Sequence, residues 1–314
     1  MNDYNLPKID LLNDEVCGPG NEHEIDTENN SRLVKLLNDH GVRYIQIRAL
    51  LGPAVTFYEV TPDKGVSIAG VKRLEQKFAE LGIRVIAPVA GKGTIGFEVC
   101  KEQSRLVNIR TLLSSSKFRE SDLELPIAIG RTISNEALIA DLCKMRHLLV
   151  AGATGTGKSV CLHTIITSLL FQKLPTQLKL VLIDPKQCEF DVYKKLEDHY
   201  LAKLPGDNES IITDADNAVG MLSSLCIEMD NRINRLMSAK VRNIKEFNKK
   251  CCDDGKREIP YIVIVIDEYS DLVAAKGKAV EEYIIRLAQR AHAVGIHLIL
   301  ATQRISCLLY TSDA

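Results

Sequence analysis

The residues best suited to chemistry lie in the segment LLVAGATGTGKSV, residues 148–160. The spacing from Gly152 to Gly157, Lys158 and Ser159 fits G-x-x-x-x-G-K-[ST], the phosphate-binding P-loop. In such a loop, backbone N–H groups surround a phosphate, the lysine reaches the β- and γ-phosphates, and the serine hydroxyl ligates Mg²⁺. A chance match is the alternative, but an apolar strand pattern precedes the loop and a helical period follows it. We therefore predict ATP and Mg²⁺ as cofactors. The predicted nucleotide-binding residues are Gly152, Ala153, Thr154, Gly155, Thr156, Gly157, Lys158, Ser159 and Val160.

A second candidate site follows the apolar run YIVIVI, residues 261–266, which ends in Asp267 and Glu268. Acids at the tip of a buried strand are costly unless a cation or a reactant meets them. Downstream of a P-loop this pair is typical of a Walker B element, although acids that merely end a strand in solvent are the alternative. Asp267 would then hold the Mg²⁺ shell, and Glu268 would act as base on the attacking water. Gln303, after the apolar run 296–301, is a candidate γ-phosphate sensor. The predicted catalytic residues are Glu268, Lys158 and Gln303, and the predicted metal ligands are Ser159 and Asp267.

Composition limits the class of protein. The chain has 314 residues, of which 46% are hydrophobic and 26% charged, as is ordinary for a globular chain of about two domains. The net charge of −1 argues neither for nor against nucleic acid as a partner. The nine cysteines show no metal-ligand spacing, which favours reduced thiols in a cytoplasmic protein, and Cys251-Cys252 is expected in a polar loop. No run reaches the roughly 20 apolar residues of a membrane span. We expect no membrane contact from this chain and leave open a membrane tether in the full-length protein.

The order of patterns along the chain predicts its domains. Residues 1–29 are polar and acidic and are expected to form a linker arm. Residues 30–125 alternate short helix and strand patterns without a nucleophile or ligand cluster, which predicts a small α/β domain for docking or scaffolding. Residues 126–306 carry both motifs in β-α-β order. That order implies an α/β fold with a mainly parallel sheet covered by helices.

Five blocks resemble the FtsK/SpoIIIE family of double-stranded DNA translocases, and the opening YNLPKIDLL resembles that family's join between linker and motor. The blocks are HLLVAGATGTGKSV (147–160), LVLIDPKQCEFDVY (180–193), VRNIKEFN (241–248), YIVIVIDEYSDLV (261–273) and RLAQRAHAVGIHLILATQR (286–304). The resemblance implies a RecA-like P-loop NTPase (β) domain at 126–306, incomplete at its end, preceded by a small α domain at 30–125. It also implies a homo-hexameric ring around double-stranded DNA.

In such a ring ATP binds between subunits, so an arginine from a neighbour is expected to complete each site. Lys276 and Lys278, expected in the loop after the Walker B strand, are candidate contacts to DNA phosphates, with solvated loop lysines as the alternative. One departure is His292, which stands where the family usually has an arginine. The candidates for the neighbour's arginine are Arg232, Arg242, Arg286 and Arg290.

The ending CLLYTSDA, residues 307–314, departs from the family pattern. One reverse translation of it resembles a transposase adaptor used in sequencing libraries, so we expect a non-native tail on a clipped fragment, with a genuine diverged C-terminus as the alternative. The predicted function is a DNA-stimulated ATP hydrolase, the motor of a double-stranded DNA translocase for chromosome segregation at cell division or sporulation. The fragment alone is not expected to translocate DNA. A DNA-pumping ATPase of a conjugative or mobile element, or a non-translocating ATP-binding assembly module, is the alternative.

Overall fold

A computed structural model of the chain describes residues 4–13, 27–89, 91–101, 106–204 and 209–303. The predicted tail at 307–314 lies outside these ranges, as do Arg304 and residues 14–26 of the predicted arm. The described residues form two compact units. The small unit comprises residues 9–120 and 130–139, and the P-loop unit comprises residues 4–8, 121–129 and 140–303.

The small unit contains a four-stranded antiparallel sheet with the strand order β1-β2-β4-β3. Strand β2 buries every second residue, as expected for a sheet with one face against a core. Tyr58 and Val60 of that strand pack with Phe97 of β4 and with Phe78. The elements of this unit are α1 (Thr27–Asp39), β1 (Tyr44–Leu51), β2 (Val55–Pro62), α2 (Ile68–Arg73), α3 (Glu75–Glu80), β3 (Ile83–Ile86), β4 (Ile95–Cys100), α4 (Ile109–Leu113) and α5 (Ser116–Arg119).

The P-loop unit contains a five-stranded parallel sheet, which confirms the predicted α/β class. Its strand order is β7-β11-β10-β8-β9. A two-stranded sheet formed by β5 and β6, which the sequence patterns did not predict, precedes it in the chain. The residues of β5 (Pro126–Arg131) and β6 (Ala137–Asp141) are divided between the two units, because residues 130–139 belong to the small one. The remaining elements of the P-loop unit are α6 (Leu142–Met145), β7 (Leu148–Ala151), α7 (Lys158–Gln172), β8 (Leu178–Ile183), β9 (Ile211–Ile212), α8 (Ala215–Ala239), α9 (Ile244–Asp253), β10 (Tyr261–Ile266), α10 (Tyr269–Lys276), α11 (Lys278–Arg290) and β11 (Ile296–Thr302).

Strand β10 is buried along its whole length because both faces of the sheet are covered. Val263 and Val265 face one core, to which α7 contributes Leu162 and Ile166. Ile264 faces the opposite core, which α8 and α11 close. This two-sided burial explains why the sequence of the strand is a continuous apolar run. It also explains why the two acids that follow the strand are buried.

Two local expectations were wrong. Cys251 and Cys252 lie on α9 and not in a loop, and Cys251 is buried. The segment looked polar because only one stripe of a short amphipathic helix packs, and its start is fixed by an Asn243 side-chain cap. Lys276 and Lys278 likewise lie at the end of α10 and the start of α11, on either side of Gly277.

Among the described residues, no helix combines the length and apolar character needed to cross a membrane.

Candidate active site

The sequence-predicted residues meet at one edge of the parallel sheet. Strand β7 leads into the P-loop, β10 into the acid pair and β11 into Gln303, and β11 lies between the other two strands. Because parallel strands end at a common edge, these side chains converge. Lys158 Nζ lies 3.0 Å from Asp267 Oδ1 and 3.5 Å from Glu268 Oε2. Thr154 Oγ1 donates a hydrogen bond of 3.1 Å to Gln303 Oε1, which joins the P-loop to β11.

The P-loop backbone depends on its glycines. Gly155 and Gly157 have φ values of +80° and +97°, a region that side-chain-bearing residues rarely adopt. A Cβ atom on Gly152 would lie 2.5 Å from Thr156 Oγ1. Helix α7 begins directly after Gly157 and is anchored by buried side chains on its core face. The loop therefore presents the N-terminus of a well-packed helix at the sheet edge, an arrangement that suits a bound phosphate.

Glu268 is 1% exposed, and its Oε1 accepts three hydrogen bonds. The donors are Ser270 Oγ at 2.7 Å, Thr302 Oγ1 at 2.9 Å and the Gln303 amide at 3.1 Å. Burial by itself raises the pKa of Glu268, but these hydrogen bonds and the charge of Lys158 outweigh it and hold the pKa below its usual value. The side chain is therefore a carboxylate at neutral pH.

Asp267 is in a different environment although it is the adjacent residue. Burial raises its pKa, and the charges of Asp184 and Glu189 add to that rise, while the contact with Lys158 opposes it. Lys158 Nζ also donates a 2.8 Å hydrogen bond to the main-chain oxygen of Asp267. Asp184 is 1% exposed, and its Oδ1 has no hydrogen-bond partner among the described residues. This corner of the site therefore favours additional positive charge.

The oxygen donors present fit Mg²⁺. The hydroxyl of Ser159 and the carboxylate of Asp267 are hard ligands of the kind that this ion prefers. Over the described parts of the chain, no group of three or more His, Cys, Asp or Glu side chains is arranged to hold a metal alone. Mg²⁺ is usually bound through one or two protein oxygens together with substrate phosphates and water, so this sparse donor set matches a magnesium–nucleotide complex.

Three residues at this edge were not assigned from the sequence. Lys186 Nζ lies 3.6 Å from Glu268 Oε2 and 3.3 Å from Asp271 Oδ2. Ser159 Oγ donates a 2.6 Å hydrogen bond to Glu189 Oε1. The third, Asp184, follows β8, which pairs in parallel with β10. The apolar run that ends in Asp-Pro-Lys was the available signal, because a parallel strand beside the Walker B strand ends at the same edge.

The candidate arginines and lysines differ in accessibility. Arg232 is 2% exposed and donates hydrogen bonds to main-chain oxygens inside the unit, which excludes it from reaching a neighbouring subunit. Arg242 is exposed, whereas Arg286 forms an ion pair with Asp230 and Arg290 lies 4.0 Å from the same acid. Lys278 is exposed, and Lys276 forms an ion pair of 2.6 Å with Asp216.

A glycine loop before a helix, a buried acid pair on a nearby strand and an intervening strand with a polar tip define a RecA-like P-loop NTPase domain. Comparison with known families agrees with this class. The FtsK/SpoIIIE family model matches residues 108–307, and the FtsK alpha domain model matches residues 6–101. The chain belongs to the FtsK/SpoIIIE family.

Similar proteins are found among both sequences and solved structures. The chain is 44% identical to DNA translocase FtsK of Chlorobaculum tepidum over 318 residues, covering 98% of this chain and 39% of that protein. It is 39% identical to DNA translocase SpoIIIE of Bacillus subtilis over 315 residues, covering 97% of this chain and 39% of that protein. The chain thus spans about two fifths of these relatives.

Two solved structures share the fold. The pCW3 conjugation coupling protein TcpA, solved as a monomer with ATPgS, has a TM-score of 0.55 at 24% identity. The match covers 90% of this chain and 78% of the TcpA chain. The cytoplasmic domain of the type VII secretion ATPase EccC of Thermomonospora curvata has a TM-score of 0.52 at 25% identity. That match covers 66% of this chain and 24% of the EccC chain.

Proposed function

We propose that this chain is the ATP-hydrolysing motor portion of a double-stranded DNA translocase that acts in chromosome segregation at cell division or sporulation. The observation that carries the proposal is the convergence of Lys158, Asp267 and Glu268 at the sheet edge beside the P-loop. Family membership and the names of the relatives support DNA as the polymer on which the motor acts.

The proposed mechanism assigns a separate task to each side chain. The P-loop amides and Lys158 would bind the phosphates, and Ser159 with Asp267 would hold Mg²⁺, which when bound neutralises phosphate charge. Glu268 would take the proton of the attacking water at Oε2, since Oε1 already accepts three short hydrogen bonds. The contacts of Oε2 are longer, at 3.3 to 3.6 Å. Gln303 would report the state of the γ-phosphate to β11.

The proposed assembly is a homo-hexameric ring around double-stranded DNA in the cytoplasm. Each site would then receive an arginine from the neighbouring subunit, for which Arg242, Arg286 and Arg290 remain candidates because each reaches the surface. Lys278 is the stronger candidate for a DNA phosphate contact because Lys276 already forms an ion pair. Exposed lysines of this kind contribute salt-dependent affinity without reading sequence.

The test measures ATP hydrolysis by the complete protein with and without double-stranded DNA. We expect DNA to raise the rate strongly, Lys158→Ala to abolish nucleotide binding, and Glu268→Gln to bind ATP with kcat lowered by about 100-fold or more. Glu282→Gln, an exposed acid on α11, is the matched control and should resemble the wild type. Hydrolysis that is indifferent to DNA would contradict a translocase, and full activity in Glu268→Gln would mean that the base is another residue.

One alternative, an ATP-binding assembly module without turnover, is disfavoured by the site itself. Such a module needs no base, whereas Glu268 is held as a carboxylate at the strand tip by three donors. The other alternative, a DNA-pumping ATPase of a mobile element, uses the same chemistry. The likeness to the conjugation coupling protein establishes the fold alone. The genes that neighbour this one would separate segregation from conjugation.

A further inference from the structure

The loop after β8 carries an acid, Glu189, in direct contact with the P-loop helix. Its Oε1 accepts the 2.6 Å hydrogen bond from Ser159 Oγ, and its Oε2 lies 3.5 Å from His163 Nε2. Ser159 and His163 are four residues apart on α7, so they lie on the same face of that helix. The Glu189 carboxylate therefore lies along the first turn of α7, beside the predicted metal ligand.

The position of Glu189 is fixed from two sides. Asp184 Oδ2 accepts hydrogen bonds from the backbone amides of Glu189 at 2.9 Å and Phe190 at 3.1 Å, and the Phe190 ring is fully buried. On the other side, His163 Nδ1 is 2.9 Å from the hydroxyl of Tyr193. The loop backbone and the histidine are thus both restrained. A carboxylate held in this way can orient its partner and does not simply follow it.

The contact with Ser159 has a specific chemical consequence. A serine hydroxyl has one proton to donate and two lone pairs with which to bind a cation. Because the proton of Ser159 is directed to Glu189, its lone pairs are directed elsewhere, and a charged acceptor makes the oxygen more electron-rich. We propose that Glu189 is a positioning residue for the Mg²⁺ of this site, acting through the Ser159 hydroxyl. The inference rests on the proposed function.

The charge balance around Glu189 supports the inference. Four carboxylates, those of Asp184, Glu189, Asp267 and Glu268, lie at this edge with two lysines, Lys158 and Lys186. A fifth carboxylate, that of Asp271, lies 3.3 Å from Lys186, so acids outnumber lysines here and a divalent cation would reduce the imbalance. Glu189 is the acid that contacts the predicted serine ligand, so its loss should weaken the metal more than it weakens the nucleotide.

The test is Mg²⁺-dependent binding of a fluorescent ATP analogue to the complete protein. In Glu189→Gln we expect the Mg²⁺ concentration for half-maximal binding to rise about tenfold or more, in the range seen when groups behind a metal ligand are removed. Affinity for the analogue in EDTA should stay unchanged. Glu189→Asp keeps the charge but shortens the side chain, and we expect a similar defect. Asp191→Asn makes the same charge change at a 70% exposed side chain that pairs with Lys194, and should resemble the wild type.

Each outcome separates the two proposals. If Glu189→Gln keeps the wild-type Mg²⁺ requirement while Lys158→Ala fails to bind the analogue, the positioning role is wrong and the proposed function stands. If affinity falls equally in EDTA, Glu189 acts on the nucleotide or the fold, which also overturns the inference. A defect in Glu189→Gln that is absent from Glu189→Asp would show that the charge of Glu189 matters and its orientation of Ser159 does not, which overturns the positioning role. If the wild type binds no analogue, the proposed function fails and the inference fails with it.

Discussion

Replacing Arg232 with methionine removes a buried guanidinium that connects three parts of the P-loop unit. The Nε atom donates a 2.8 Å hydrogen bond to Glu228 on the same helix, α8. The Nη1 atom donates to the main-chain oxygen of Pro260 at 2.8 Å and of Val294 at 3.1 Å. The Pro260 carbonyl lies directly before β10 and the Val294 carbonyl two residues before β11, so Arg232 connects the long helix to the starts of two central strands.

The magnitude follows from what methionine leaves behind. Its side chain preserves the packing of the arginine stem, but two carbonyl oxygens lose this donor, in a buried contact at Val294 and a part-buried contact at Pro260. Each buried unpaired polar group costs about 1–3 kcal/mol. Part of this loss is offset because a buried charge no longer has to be desolvated. We therefore expect Arg232→Met to lower the free energy of unfolding by roughly 2–4 kcal/mol.

The assay is urea unfolding followed by circular dichroism at constant protein concentration. Arg235→Met is the matched control, since this exposed arginine is three residues further along α8 and lies 6.0 Å from the ring centre of Phe247. Its loss should cost about 1 kcal/mol or less. Equal destabilisation by the two substitutions would refute the reasoning. Unchanged stability with lost ATP hydrolysis in Arg232→Met would instead restore the sequence-based possibility that this arginine acts on a neighbouring subunit.

Two further predictions concern pH. Burial, together with the nearby His297 and His292, lowers the pKa of His147 from 6.5 to about 4. As the pH falls, His147 is protonated in the unfolded chain before it is protonated in the folded one. Its contribution to the free energy of unfolding should therefore be constant above pH 6.5 and fall by roughly 3 kcal/mol as the pH drops to 4. Urea unfolding across this range should give a shallower slope in His147→Gln, and an unchanged slope would contradict the cause. Because the pKa of Glu268 lies below 4.5, kcat should show no acidic limb between pH 6 and 8. An apparent pKa above 6 in the kcat profile would contradict this expectation.

The strands that carry the two motifs could be predicted because their signals are local. The run at 148–151 and the run at 261–266 occupy the predicted positions, and each is followed by the chemistry-bearing residues that identified it. The parallel sheet followed from the alternation of strand and helix patterns. The short helices of the P-loop unit were harder to predict from the sequence. Helix α9 packs only a narrow apolar stripe, so its sequence was interpreted as a polar loop.

Contacts between strand ends could not be predicted, because they depend on strand order and not on spacing along the chain. Lys186 approaches Glu268 only because β8 lies beside β10 in the sheet. Glu189 reaches Ser159 only because the loop after β8 turns back toward α7. Neither residue belongs to a motif with a recognised spacing to the P-loop. Their positions became visible when the topology brought Glu189 within 2.6 Å of Ser159 and Lys186 within 3.6 Å of Glu268.

The same topology explains how adjacent acids can have different chemistry. Asp267 and Glu268 follow one another at the tip of β10, and their side chains meet different neighbours. Burial raises the pKa of Asp267, and the carboxylates contributed from the β8 side add to that rise, so a cation would stabilise this acid best. Glu268 instead accepts hydrogen bonds from the tip of β11, which hold it ionised. A strand tip placed between an acidic neighbour and a hydrogen-bond-donating neighbour would thus separate the proposed metal-binding acid from the proposed base, although both residues are almost fully buried.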